Sequence, residues 1–373
     1  MMSNRVDEGV MKAEVIYLYA YDIAQEADLA AIEASLRGSA EWFDLGRLKD
    51  APRDFPVYRP LSIQINETSA EGAAGSLMMK ASVKLFSVGA LSVKIRILVD
   101  VDSLMDLYKF RDLVFKDGLT LESHAHKVAL QVFGKIKPNL VSPATELPQP
   151  EGYTVFCVSP TEPEGDVWLR QHEREVAALL VGVSDPTRLS VQEVQETVSL
   201  RYSYYRHDLA VVDWDAALVM DRAGDYNDTL YVMEMANLQL EELRAYDRML
   251  DQSLDKAYDD AKKTARVYDW GARRRVLNEL RTIRMDVTKV ADEISNITKF
   301  FGDWHLARVY MGCAARFHLE DWEKSVSRKL RALDGLYTML QTDSNNWVML
   351  ILEASIVALF IIDLVIIVWL GKA

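Results

Sequence analysis

A few groups of residues have the types and spacing that chemistry could use. His172-Glu-Arg-Glu-Val176 opens like a zinc-hydrolase helix, in which two histidines four residues apart hold the metal and a glutamate activates water. Its fifth residue is valine, so the second ligand is missing. His124 and His126 alternate near a helix start without a cysteine or acid cluster and read as surface residues. Asp303, His305, His318, Glu320 and Asp321 would converge only if the adjoining helices folded back, and capping and solvation at a helix junction account for the same residues. Cys157 and Cys313 sit in apolar surroundings, which suits packing in a reducing compartment better than nucleophilic attack or a disulfide framework. Gly72 and Gly75 are followed by no Gly-Lys-Ser/Thr and make no phosphate loop. No Ser-His-Asp order is recognisable, although such triads are set by geometry. No catalytic residue, metal or cofactor is assigned.

Two charged features stand out instead. Lys262, Lys263, Arg266, Arg273, Arg274 and Arg275, with Arg281 and Arg284, gather around one predicted turn in a chain of net charge −13. A solvated tip explains them. A contact for an anionic partner does so too: a ribosome, an acidic protein or lipid headgroups. The overall acidity is the wrong sign for a general nucleic-acid binder. The second feature is a pair of acids, Glu353 and Asp363, inside the apolar run 347–370. Arg201-Tyr-Ser-Tyr-Tyr-Arg206 also interleaves aromatics with base, but on a strand it reads as an alternation of core and surface.

The elements that must position these residues fall into an α+β region followed by helices. Residues 1–12 read as a mobile tail with neither a secretory signal nor a transit peptide. A first α+β half, 13–136, holds a strand at 13–20, a helix at 23–36 and a strand at 61–66. It continues with a hairpin, 77–87 and 91–101, and helices at 103–115 and 119–133. The proline-rich stretch 137–152 reads as a linker. A second half, 153–215, has a strand at 153–158, a helix at 166–181, a short helix capped by Ser190 and Glu193, and a hairpin of 198–205 with 209–213. Strands followed by helices twice over suggest that the two halves are related.

From 228 to 341 the apolar period becomes helical. Met233, Ala236, Leu240, Leu243, Leu250, Leu254, Ala257 and Ala261 form one heptad seam, with Asp247 inside it. Leu280, Ile283, Val287, Val290, Ile294, Ile297 and Phe301 form another. Together they read as a long antiparallel coiled-coil hairpin, its first arm over 229–267, followed by stem helices at 304–317 and 320–340 and a joint at 342–346. The run 347–370 reads as one transmembrane helix with Trp347 and Trp369 at its ends. Its Leu, Ile, Val and Phe residues favour insertion by roughly 7 kcal/mol, while two mid-helix acids return at most about 6 kcal/mol, so insertion wins narrowly. Glu353 and Asp363, about 80° apart around the axis, suggest a self-association face; protonation or a reach toward the headgroups is the plainer reading. Lys324, Arg328, Lys329 and Arg331 precede the span and keep the bulk of the chain on the cytoplasmic side of an inner (plasma) membrane.

Five segments carry a resemblance: Arg201-Tyr-Ser-Tyr-Tyr, Asp213-Trp-Asp-Ala-Ala-Leu, Ala236-Asn-Leu-Gln-Leu-Glu-Glu-Leu-Arg, Trp304-His-Leu-Ala-Arg-Val-Tyr and Arg316-Phe-His-Leu-Glu-Asp-Trp. The chain resembles the "required for meiotic nuclear division" family, which carries a domain of unknown function, and looks like a bacterial-type member. The resemblance implies no catalytic residues. It implies self-association at a membrane and, through the organellar relatives, a link to translation. The expectation is a tail-anchored, homo-oligomeric scaffold that holds a partner near the membrane. The alternative is an enzyme or ligand-binding protein with its site between the two α+β halves.

Overall fold

The computed structural model describes residues 11–36, 38–43, 60–65, 68–72, 75–116, 118–159, 164–264, 281 and 304–370. The chain divides into two compact units, Met1–Ala245 with Asp292–Glu323, and Tyr246–Ala291 with Lys324–Ala373.

The first unit is built on a sheet that has ten strands among the described residues. Its centre is β1 (Met11–Asp22), a twelve-residue run with Val15, Ile16, Tyr17 and Leu18 all buried, as expected of a strand covered on both faces. β1 pairs antiparallel with β7 (Ala90–Val101) along its whole length and with β9 (Glu151–Val158) on its other side. Between them in sequence lie β2 (Glu26–Ala27), helix α1 (Leu29–Leu36), β3 (Ala40–Trp42), β4 (Leu61–Gln64), β5 (Thr68–Gly72) and β6 (Gly75–Leu85). A 3-10 helix (Leu104–Phe110), helix α2 (Leu121–Ile136) and β8 (Leu140–Val141) complete the interval. After β9 come α3 (Gly165–Val181), α4 (Val191–Thr197), β10 (Arg201–Tyr202), β11 (Asp208–Val212) and β12 (Ala216–Asp221). The strand order is β10-β11-β12-β9-β1-β7-β6-β4-β3, with β5 paired to β6, and β12 runs parallel to β9.

One face of this sheet, including Val15, Tyr17, Tyr21, Val93, Ile95, Phe156 and Leu218, packs in one core with residues of α1, α2, α3 and the 3-10 helix. The Tyr17 hydroxyl donates to the Phe110 carbonyl within that core. The other face carries α5 (Asn227–Thr264), whose Tyr231, Met235 and Leu238 cover Ala20, Phe86 and Ala90. Every residue of α5 from position 230 to position 243 is buried, so this stretch is enclosed on all sides. Helix α6 (Trp304–Arg316) lies beside β10 and β11 and closes the unit.

The expected hairpin of 77–87 with 91–101 is β6 and β7. Its turn depends on Gly89, at φ +80, whose carbonyl accepts from the amides of Ile23 at 2.9 Å and Ala24 at 3.1 Å; a Cβ there would run into the Ala24 backbone. The same pairing shortens the helix expected at 23–36, because 23–27 are engaged with 87–89 and with β8, and α1 begins only at Leu29. The helix expected at 103–115 is the shorter 3-10 turn. The stretch 137–152 does not divide the α+β region: β8 within it pairs with β2, and it leads into β9, which joins both stretches in one sheet. The expected second hairpin is a three-strand meander, with strand β12 following the turn at Asp213. The second heptad seam, 280–301, lies outside the described residues apart from Arg281, and so does the pairing of α5 with an antiparallel arm.

In the second unit, the far half of α5 contributes Asp247 and Asp251, and both carboxylates hold Lys329 of helix α7 (Leu319–Leu370), at 2.8 and 2.6 Å. Asp247, read as a polar residue in the seam, therefore serves an ion pair. Helix α7 is continuous over 52 residues, and the joint expected at 342–346 is helical. This polar stretch contains neither proline nor glycine, and the hydroxyls of Thr338 and Thr342 fold back onto the carbonyls of Asp334 and Thr338.

Candidate functional site

The alternation of β6 and β7 brings Lys80, Ser82 and Lys84 opposite Arg96, Lys94 and Ser92 on the face that α5 covers. Lys84 and Ser92 are almost fully buried. A buried ammonium must be paired, and α5 supplies the partner. Glu234 accepts from Lys84 Nζ at 2.6 Å and from the Ser92 hydroxyl at 2.7 Å. The Lys84 ammonium also lies 3.9 Å from the centre of the Phe43 ring and 4.7 Å from that of Tyr231, and the two rings stack. Burial alone would raise the Glu234 carboxyl, but Lys84, Lys94 and Ser92 together hold it below its usual value. Burial lowers the Lys94 amine to about 8, aided by Lys84 and Arg96 and opposed by Glu234. Further along, Arg96 meets Glu14 at 3.2 Å and Asn227 at 3.4 Å.

This charged layer does not stand out in the sequence. Its signal there is the recurrence of Lys80, Lys84, Lys94 and Arg96 at alternate positions of adjoining strands, with Glu234 among apolar neighbours of one helix. An amine near neutrality is competent as a base. Its surroundings, however, are those of a buried clamp between helix and sheet.

A second cluster joins residues of the segments 213–218, 236–244, 304–310 and 316–322. Arg316 meets Asp213 at 3.4 Å and Glu196 at 3.1 Å. The Tyr310 hydroxyl donates to Gln239, Arg244 pairs with Glu151 and lies 5.5 Å from the centre of the Trp322 ring, and Asn237 donates to the Glu151 carbonyl. These contacts fasten α5, α6, β9 and the β11–β12 turn together. The motif Arg201-Tyr-Ser-Tyr-Tyr-Arg206 does not behave as an alternating strand. β10 ends at Tyr202, and the Asp208 carboxylate accepts from the amides of Tyr204 at 2.7 Å and Tyr205 at 3.0 Å. The turn so fixed leaves Tyr204 and Tyr205 exposed, at 64% and 70%.

Five of the six histidines lie against aromatic rings. His172 stacks on Trp168 with ring centres 4.6 Å apart and bonds the Trp168 carbonyl at a kink in α3. His124 lies against Phe115 and His126 against Tyr21. His318, at φ +52 between α6 and α7, pairs with Asp321 at 3.4 Å, while His305 lies against Tyr204, so the two are not brought together as ligands. Among the described residues no three of His, Cys, Asp and Glu converge as a metal would need. Cys157 and Cys313 are fully buried, and burial pushes both thiols up.

Of the basic residues, Lys262 and Lys263 fall in the last turn of α5, and Arg266, Arg273, Arg274 and Arg275 lie outside the described residues. Glu353 and Asp363 are both exposed on α7. From Met349 to Ile367 this helix is long and apolar enough to cross a membrane, and none of that stretch is buried within the protein. The two α+β stretches meet along the backbone ladder of β1 with β9 and where Arg111 donates to the Leu179 carbonyl at 2.9 Å.

A family model described as "Uncharacterized protein MJ0711, N-terminal domain" matches residues 12–226. The uncharacterized protein MJ0711 of Methanocaldococcus jannaschii is 23% identical over 215 residues, which are 58% of this chain and 65% of that protein. The chain thus spans less than two thirds of that relative's length. No solved structure matches.

Proposed function

From residue 12 to residue 226 this chain belongs to the family of the MJ0711 N-terminal domain, a membership that brings no known activity, and we propose that the protein is a membrane-anchored, self-associating scaffold holding an anionic partner beside the bilayer. One observation carries this reading: the apolar half of α7, exposed along its described side chains from Met349 to Ile367. An unbroken apolar surface of that length is costly in water and favourable in lipid. Lys324, Arg328, Lys329 and Arg331 precede it and orient the bulk of the chain to the cytoplasmic face of the inner (plasma) membrane.

The partner is assigned to the basic residues Lys262, Lys263, Arg266, Arg273, Arg274 and Arg275. The resemblance to the "required for meiotic nuclear division" family makes the translation machinery its first candidate. Alkaline carbonate extraction of native membranes tests the anchor. The full chain is expected to stay in the pellet, and a chain ending at Thr342 is expected to wash off. A full chain released by carbonate would sink the reading. Reversing the charge at Arg273, Arg274 and Arg275 tests the tip, and unchanged co-purification of partners would remove that element of the proposal.

A further inference from the structure

Helical geometry places Glu353 and Asp363 about 15 Å apart along α7 and about 80° apart around it, so one neighbouring helix can meet both. Both side chains are exposed, and among the described residues neither carboxyl has a hydrogen-bond or ion-pair partner. Ser355, by contrast, satisfies its hydroxyl on the Ile351 carbonyl at 2.7 Å. Between Trp347 and Leu370 there is no lysine, arginine or histidine. Two copies of this segment would therefore set acid against acid. A carboxyl in hydrocarbon either takes up a proton or meets opposite charge, and only the second keeps it ionised. The complement of two acids on one side of a helix is two cations on the helix beside it.

We propose that this side of α7 docks a membrane-spanning helix of a different protein, one that carries two lysine or arginine side chains about ten residues apart. The inference rests on the reading that α7 crosses a membrane, and it names the kind of partner met there. It leaves room for self-association on the same helix, because Ala354 and Ala358 lie about 160° around the axis from the midpoint of the acids. Small residues four apart allow close approach of a second copy on that opposite side.

The test uses the full chain, labelled and reconstituted in phosphatidylcholine vesicles, with two synthetic single-span poly-leucine peptides as probes. One peptide carries two lysines ten residues apart, and the other carries none. Energy transfer from chain to peptide reports association, and transfer between differently labelled chains reports self-association. Carbonate washing of the vesicles comes first: release of the chain overturns the anchor and this inference together, whereas retention isolates the inference. The expected result is association with the lysine peptide about tenfold or more above the plain one, the ratio that about 1.4 kcal/mol gives. Glu353→Gln with Asp363→Asn keeps hydrogen bonding but removes charge. It is expected to abolish the preference while chain-to-chain transfer is unchanged. Equal transfer to both peptides would overturn the proposal. So would a double variant that lost self-association and kept its peptide preference, because the acids would then hold a second copy.

Discussion

At the scale of single residues, the Lys84–Glu234 pair sets the strongest constraint. Each is about as buried as an apolar core residue, so the pair is satisfied only while both members are present. Removing one member of a buried pair costs about 3–5 kcal/mol, whereas replacing both by apolar groups of similar volume is near neutral. Glu234→Leu is thus expected to lower the denaturant midpoint sharply. Lys84→Met added to it should restore most of the loss, less about 1 kcal/mol for the acceptor that Ser92 loses. A double variant no better than the single one would contradict the clamp. Lys94 gives a pH-dependent test. Its amine titrates at about 8 in the fold, against 10.5 ordinarily. Between those values the unfolded chain holds a proton that the native state has released, so stability rises with pH across that window, and the penalty is full below it. Lys94→Met is expected to exceed the wild type in stability at pH 7.5, with the gap closing toward pH 10. A gap constant with pH would refute the assignment. These lysines were illegible in the sequence because a charged residue on a strand ordinarily marks the solvent face, and only the arrival of α5 turns that face inward.

At the scale of elements, long periodic stretches were legible. β1, the β6–β7 hairpin and α5 have their expected places because each has an uninterrupted pattern of its own period. The turn expected at 206–208 begins earlier, at 203, and that start was not legible. Tyr-Ser-Tyr-Tyr mimics strand alternation, and only the Asp208 carboxylate, binding back to two amides, reveals the turn. Strand order was hidden for a similar reason. Nothing local says that β9 returns to β1, so the proline-bearing stretch before it resembled a boundary. Contact between α6 and β10 can be tested at Gly312, where an added Cβ would strike the Tyr202 ring. In an open helix, alanine would gain about 1 kcal/mol over glycine. Here Gly312→Ala is expected to lose about 1–3 kcal/mol through overpacking. In a Tyr202→Ala background the same change should become stabilising, and thermal denaturation of the four chains reads the reversal. A Gly312→Ala effect of the same sign in both backgrounds would disprove the contact.

For the whole molecule, the prediction concerns assembly. Light scattering of the detergent-extracted chain at micromolar concentration is expected to give a mass above one protomer, and a clean monomer would count against self-association. The apolar run near the C-terminal end was legible because length and composition suffice to recognise it. The basic residues proposed for a partner, Lys262 with Lys263 and Arg273 with Arg274 and Arg275, stand out in the sequence by adjacency alone, and the three arginines lie outside the described residues.

The absence of a joint in α7 has a mechanical consequence. At about 1.5 Å per residue the helix is about 78 Å of one hydrogen-bonded rod, gripped near one end where Lys329 sits between Asp247 and Asp251. A rod of that kind transmits torque with little slack. A rotation imposed on the apolar end turns Lys329 in its socket, and a rotation imposed at the socket swings the two acids to a new bearing. In that respect an unbroken helix behaves as a shaft and not as a tether with a hinge.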